Sequence, residues 1–492
     1  MSSISPLISL KGLFYAQNVT ENLIYCDFFY CIIQYISLLN IILMKKRYTL
    51  LLIAFTSLSA SAQTVVNRNT DIDKMVKSVN QDSLKSYTSK MVAFGTRNTL
   101  SDIKSKSNGI GAARNWVVTK FNQFAKQSDG RLTAYLDTTT FKPDGKRVDQ
   151  PTLLGNAVAV LKGTDQNDKR VYVVSGHLDS RVTDVMNRTS NAPGANDDGS
   201  GVAGVIEAAR IMSQYKFAAT IIFVAVSGEE QSLLGSGFMA AKAKKENWNI
   251  DAMLNNDMIG SNNSSETQII DNTKLRVFSE GLPSYELDKN AKSIRQFGLE
   301  NDGKSRQLAR YVKEIGERYV DQLEVKLIYR NDRFLRGGDH TPFVENGFTA
   351  VRITEMNENF DHQHQDLRTE KGVKYGDLQE FMDFEYLRKN TGVNIAVLAN
   401  LAKAPTAPTE VKVDVKNLSN STFLYWKAPV NGNVKGYYVL MRETSSAVWE
   451  KKFFTTATEM KLPYSKDNYL FAVQSVGNED NESLPVVPGI GR

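Results

Sequence analysis

The seven residues Thr220-Ile221-Ile222-Phe223-Val224-Ala225-Val226 run directly into Ser227-Gly228-Glu229-Glu230. The run is apolar from Ile221 onward, rich in β-branched residues and short. It has no polar alternation, so it reads as a strand buried on both faces, the kind found in a sheet covered by helices above and below. Working outward, Asn156 to Leu161 and Val171 to Val174 are shorter runs of the same type, and Val325 to Tyr329 and Ala350 to Ile353 follow later. Ala252 to Met258 reads as the approach to another strand end. Between these lie segments of helical period: Gly201 to Met212, Leu233 to Ala243, Arg306 to Tyr319 and the long Phe381 to Leu401. Upstream, Gly109 to Phe124 repeats Ala112, Trp116, Val117 and Phe121 at helical spacing, and Ile72 to Val79 is a helical patch in a polar stretch. Strands alternating with helices over this length predict an α/β fold, a mixed sheet flanked by helices.

The pattern changes after Lys403-Ala404-Pro405-Thr406-Ala407-Pro408-Thr409, a proline-spaced connector. Val411, Val413 and Val415 alternate with polar residues, and Phe423 to Trp426, Gly436 to Met441 and Tyr469 to Val476 follow at short intervals. Short alternating strands of this density predict an all-β sandwich over residues 410–492. The segments STFLYWKAP, GYYVL and YLFAVQSV resemble a fibronectin type III module, which would make Trp426 its core tryptophan. The linker is then 403–409, and a chain ending near Lys403 is expected to keep most of its activity on small substrates.

The 492 residues are 41% apolar and 23% charged, globular proportions for a chain of two or three domains. The net charge of +6 is spread with both signs mixed and no Lys/Arg block, so nucleic acid is not expected as a partner. Met44 is followed by Lys45-Lys46-Arg47, an apolar run from Leu50 to Leu58, and Ala60-Ser61-Ala62 before Gln63. That order is a secretory signal over 44–62. Residues 1–43 are then an upstream extension outside the fold, and export to a secreted or periplasmic location without a stable membrane anchor is expected. The competing reading is an anchor, since Ile32 to Met44 is also apolar, but Gln34 and Asn40 interrupt it. Cys26 and Cys31 lie upstream of the cleavage, so the mature protein would have no disulfide and no thiolate ligand.

The chemistry-bearing residues gather at the ends of the expected strands. His177 lies in Gly176-His177-Leu178-Asp179 after VYVVSG, and Asp197-Asp198-Gly199 stands before a helix. Glu229-Glu230 follows the TIIFVAV strand, Asp257 closes Leu254-Asn255-Asn256-Asp257, and His362, His364 and Asp366 share one short stretch. Each has an ordinary structural reading: Asp-Asp-Gly is usually a helix cap and Glu-Glu a solvated pair. Together at successive strand ends they are an imidazole and carboxylate set of the kind catalytic zinc uses. Two neighbouring zinc ions also call for a carboxylate shared between them and another free to take a proton. Spacing alone does not assign those roles.

The order GHLDS, PGANDDGSG, SGEE, NND and HxxxD resembles that of the M28 zinc exopeptidases, over roughly residues 75 to 402. The resemblance implies a zinc exopeptidase, phosphorylase/hydrolase-like fold over a peptidase domain of 63–402. It implies two zinc ions: His177, Asp197 and Asp257 would hold one, and Asp197, Glu230 and His362 the other. His364 competes for the last place, but the family's histidine stands four residues before an aspartate, which selects His362 ahead of Asp366. Glu229 would be the general base, Asp179 would orient His177, and Asp197-Asp198 would be a cis peptide. Asp339 and His340 match a D-H pair of the family and are expected to shape the substrate pocket. The family's aminopeptidases have a tyrosine shortly before that pair. Here Arg333-Phe334-Leu335-Arg336-Gly337-Gly338 has none, so another donor must hold the oxyanion, or Tyr329 reaches in. The activity implied is removal of N-terminal residues from peptides. The alternatives are a one-zinc glutaminyl cyclase of the same fold and a non-catalytic binding protein carried by the sandwich, whose own partner the sequence does not indicate.

Overall fold

The computed structural model describes residues 66–283, 291–292, 294–416 and 418–491. The expected signal over 44–62, its expected cleavage site and both cysteines lie outside them. An eight-stranded sheet is formed by β1 (Leu132–Phe141), β2 (Thr152–Leu161), β3 (Arg170–His177), β4 (Thr220–Val226), β5 (Asn249–Asn256), β6 (Lys274–Phe278), β7 (Glu324–Ile328) and β8 (Ala350–Glu355), in the order β1-β2-β4-β3-β5-β8-β6-β7. β4, β3, β5 and β8 run parallel; β2 against β4, β1 against β2 and β6 against β8 are antiparallel. The sheet is mixed, as expected.

Strand β4 shows why its sequence is apolar throughout. Ile221, Phe223 and Ala225 point into one hydrophobic layer, and Ile222, Val224 and Val226 into the other. The first layer holds most of the helices: α1 (Thr70–Lys77), α2 (Gln81–Val92), α3 (Gly109–Ala125), α4 (Gly199–Met212), α6 (Lys304–Tyr319) and α8 (Phe384–Lys403). The second is covered by α5 (Leu234–Lys245) and α7 (His340–Glu345) through Met239, Ala240, Ala243, Phe343 and Val344. Strand β1, which the sequence did not announce, lies on the edge and pairs only with β2 within this sheet. Its solvent-side threonines dilute the alternation that marks a half-buried strand. Strand β6, only five residues long, was likewise unannounced.

The chain leaves β3 through α4 to β4 on one side, then passes through α5 to β5 on the other side. Strand order reverses at β3, and in open α/β sheets such a switch opens a crevice beyond the carboxyl ends of the strands. His177 ends β3, Glu229 and Glu230 follow β4, and Asp257 follows β5, so one crevice receives all of them.

Beyond α8, seven strands form two sheets. One holds 459–462, 422–427, 409–414 and 489–491; the other holds 451–455, 434–443 and 469–477. Trp426 is buried between them, edge-on to Tyr437 with ring centroids 5.2 Å apart. The connector is tied down, since the Ala404 and Pro405 carbonyls accept from Arg170 at the start of β3. Glu482, fully buried, receives both Arg318 nitrogens of α6 and the Asn400 amide of α8. Arg442 of the sandwich meets Asp302 at 2.8 Å. The sandwich is therefore seated on the α/β unit through buried charge, which a loosely tethered module would not be.

Candidate metal centre

The floor of the crevice is built around Asp198. It is the N-cap of α4 and accepts from Gly201 N, while its carboxylate also accepts from the His177 and Met258 N–H groups. One side chain thereby joins the end of β3, the start of α4 and the chain after β5. A Cβ on Gly201 would lie 2.4 Å from that carboxylate, so only glycine permits the cap. The Asp197-Asp198 peptide is cis, as the resemblance implied. Asp377 accepts from the Asn196 and Asp197 N–H groups and holds that backbone from the far side. Gln363 donates to Asp197 Oδ2 at 3.1 Å.

Two donor groups meet on Asp197. His177 Nε2 is 3.0 Å from Asp197 Oδ1 and 3.9 Å from Asp257 Oδ1. On the other side His364 Nε2 is 2.9 Å from Asp197 Oδ2 and 2.8 Å from Glu230 Oε1. In each group the three candidate ligand atoms lie within 4.8 Å of one another. A tetrahedral zinc with ligands near 2.0–2.1 Å would place its donors roughly 3.3 Å apart, so these separations fit an ion in each group. Electrostatics agree. Although burial works against its protonated form, the Glu230 and Asp197 carboxylates raise the His364 imidazole to about 10. His177 is likewise raised well above its ordinary value against burial, by Asp179 and Asp197. A site that holds protons this firmly has the negative potential that a cation would meet.

His362, the ligand selected by the sequence pattern, is not part of this cluster. Its ring lies flat on Phe381, with centroids 3.7 Å apart and planes 7° from parallel. The segment turns tightly, and His364 adopts a left-handed backbone at φ 56° that brings its ring to Asp197 and Glu230. Counting back from Asp366 selected the wrong histidine because a tight turn, not a residue interval, decides which ring enters.

Asp179 has a wider task than orienting His177. Its carboxylate accepts from the Gly228, Glu229 and Glu230 N–H groups and from the Thr99 hydroxyl. Gly228, at φ 78°, supplies the turn that aims those N–H groups inward. His177 Nδ1 faces the Asp179 main-chain oxygen at 3.1 Å, with the carboxylate 3.7 Å away. Glu229 faces the cavity, and burial, with Glu230, Asp257 and Asp339 nearby, pushes its carboxyl well above the usual range against the opposing pull of His177. Asp257 is oriented by the fully buried Arg352, 3.1 Å from its second oxygen and 2.8 Å from Asp332.

Asp339 and His340, expected to shape the pocket, do not line it. Both are buried behind it, and His340 Nε2 lies against the Asn331 carbonyl. Tyr329 is turned away as well, donating to the Ala447 carbonyl of the sandwich. The cavity measures about 400 Å³, and besides the metal-facing residues its wall carries Arg147, Arg181, Arg333 and Arg336. Arg352 is carried inside β8, and Asp377, Gln363 and these arginines on loops, with no spacing signal, and sequence reading missed them.

Comparisons with known proteins identify the family. The profile described as Peptidase family M28 matches residues 156–384. A probable zinc metalloprotease of Leptosphaeria maculans is 44% identical over 419 residues, 85% of this chain and 96% of that protein. The chain belongs to peptidase family M28. Another probable zinc metalloprotease, from Pyrenophora tritici-repentis, is 40% identical over 85% of this chain and 86% of its own length. In fold, this M28 peptidase is similar to the LapA aminopeptidase of Legionella pneumophila, with a TM-score of 0.50 and 19% identity over 70% of this chain and 75% of that one. It is a zinc metalloprotease of its family.

Proposed function

We propose that this M28 peptidase is an exported two-zinc exopeptidase that removes N-terminal residues from peptides. The observation that carries the reading is that Asp197 belongs to both donor groups while Glu229 stands free beside them in the same cavity. His177, Asp197 and Asp257 would hold one ion, and Asp197, Glu230 and His364 the other. Zinc bound there supplies Lewis acidity toward a carbonyl and lowers the pKa of a water ligand. The chain supplies the proton handling. Glu229, its affinity for a proton raised by burial and neighbouring carboxylates, takes a proton from the attacking water and returns it to the leaving amine. Asp179 fixes the Gly228–Glu230 backbone, so that Glu229 and Glu230 keep separate directions. A one-zinc cyclase would leave one donor group without a task. A non-catalytic role would leave the half-buried, proton-seeking Glu229 unexplained. The sandwich, proposed to be of fibronectin type III kind, contributes no residue to the two groups.

The test is product mapping over a peptide library by mass spectrometry, with and without chelator. Release of single N-terminal residues, abolished by chelator and restored by zinc, is expected. Internal cleavage, or loss of C-terminal residues only, would remove the aminopeptidase reading.

A further inference from the structure

The charge on the cavity wall is unusual for a site that receives a cationic peptide N-terminus. Four arginines and four carboxylates line it. Of the carboxylates, Asp197, Glu230 and Asp257 face the donor groups and Glu229 is the proposed base, so none is left over to pair with an ammonium group. Two divalent ions would turn a balanced wall strongly positive.

The arginines differ in how far they are already matched. Arg333 is held by Asp332 at 3.2 Å and Glu358 at 3.0 Å, and Arg336 shares Glu358 at 3.5 Å. Arg147 and Arg181 stand on the Glu230 side. Among the described residues no carboxylate lies within 4.0 Å of Arg147, whose Nη1 donates to the Glu230 carbonyl. Arg181 has one carboxylate partner, Glu230 at 3.9 Å, and that carboxylate faces the second donor group. Both arginines are held in place. Asp144 accepts from the Lys146, Arg147 and Val148 N–H groups and fixes the turn that carries Arg147. Arg181 donates to the Val182 and Thr183 carbonyls. Both are half-buried, where a charge-assisted contact is less screened than at an open surface. Two fixed guanidinium groups that lack carboxylates of their own, beside the reacting centre, are a receptor for a planar anion.

We propose that Arg147 and Arg181 select substrates carrying a carboxylate next to the scissile bond. It would be either the side chain of an N-terminal Asp or Glu or the C-terminal carboxylate of a dipeptide. The proposal rests on the exopeptidase reading above and names its substrate class. Catalysis follows the same water attack; the arginines position the anion and take part in no bond change.

The experiment uses the full zinc-loaded chain and matched substrate pairs. Glu-Ala-NH2 against Gln-Ala-NH2 tests the side-chain source, and Leu-Gly against Leu-Gly-NH2 the C-terminal source. In at least one pair kcat/KM should favour the carboxylate member by on the order of 10- to 100-fold, the worth of one or two charged hydrogen bonds. Arg147→Gln and Arg181→Gln, singly and together, should shrink that ratio, mainly through KM. Zinc content is measured beside each, and because the readout is a ratio within one variant, a general loss of activity does not imitate it. Wild-type ratios near one in both pairs would overturn the proposal, as would a ratio that survives the double substitution. N-acetylated forms of the same peptides separate the two readings. If they are cleaved with the carboxylate preference intact, the aminopeptidase reading fails and the anion site stands.

Discussion

Replacing the two neighbouring histidines one at a time should give opposite results. His364 Nε2 lies 2.8 Å from Glu230 and 2.9 Å from Asp197, so His364→Ala removes one of the three donors of its group. Losing a residue that merely supports a zinc ligand lowers affinity roughly 10- to 100-fold. Losing a ligand itself should cost at least the upper end, ~100-fold or about 2.7 kcal/mol. At a buffered free zinc level that just saturates the wild type, His364→Ala should retain one ion per chain. His362→Ala loses only a ring stack on Phe381, worth about 0.5–1.5 kcal/mol, and should retain two ions with a slightly lower Tm. Zinc is counted by atomic emission after equilibration, with thermal unfolding run on the same samples. Two ions on His364→Ala together with one on His362→Ala would refute the assignment, and with it the donor geometry at Asp197.

Glu229→Gln should keep both ions and the fold while kcat falls by ~10²–10⁴-fold, whereas Glu230→Gln should lose one ion and Asp197→Asn should weaken both; zinc counts beside steady-state kinetics check this, and zinc loss from Glu229→Gln alone would reverse the pair. Burial pushes the Glu482 carboxyl up, but Arg318 and Lys452 hold it at about 2. Its folded pKa is thus below its unfolded value, so its contribution is full above the ordinary ~4.3 and is lost as pH falls toward 2. Denaturant unfolding of the wild type should weaken across that window, and Glu482→Gln should show a flatter decline there; parallel curves would count against it. A chain ending near Lys403 would leave Arg318, Tyr311 and Asn400 without their sandwich partners. Removing the sandwich takes away these hydrogen bonds, those to a charged group being worth about 1.5–3 kcal/mol each, so the shortened chain should unfold at a clearly lower temperature or fail to accumulate, contrary to the sequence-based expectation of an independent module. An unchanged Tm would show that the seam is dispensable.

The amino-acid sequence by itself determined the strand β4, because a short apolar run without alternation can only be buried on both faces. It likewise determined most helices from their period, and it placed His177, Glu230 and Asp257 at strand ends and Asp197 before a helix, where a switch in strand order gathers side chains. Local signals suffice for these, since each depends on residues a few positions apart. Tertiary structure alone decided which histidine joins the second group, because the turn with a left-handed residue at His364 brings that ring, and not that of His362, to Asp197 and Glu230. It also decided that Asp339, His340 and Tyr329 serve the interior or the sandwich seam, and that Arg147, Arg181 and Arg352 reach the site. Those side chains arrive from distant parts of the sequence, Arg147 and Arg181 on loops and Arg352 inside β8, and their roles come from the groups they meet across the fold, which no spacing along the chain encodes.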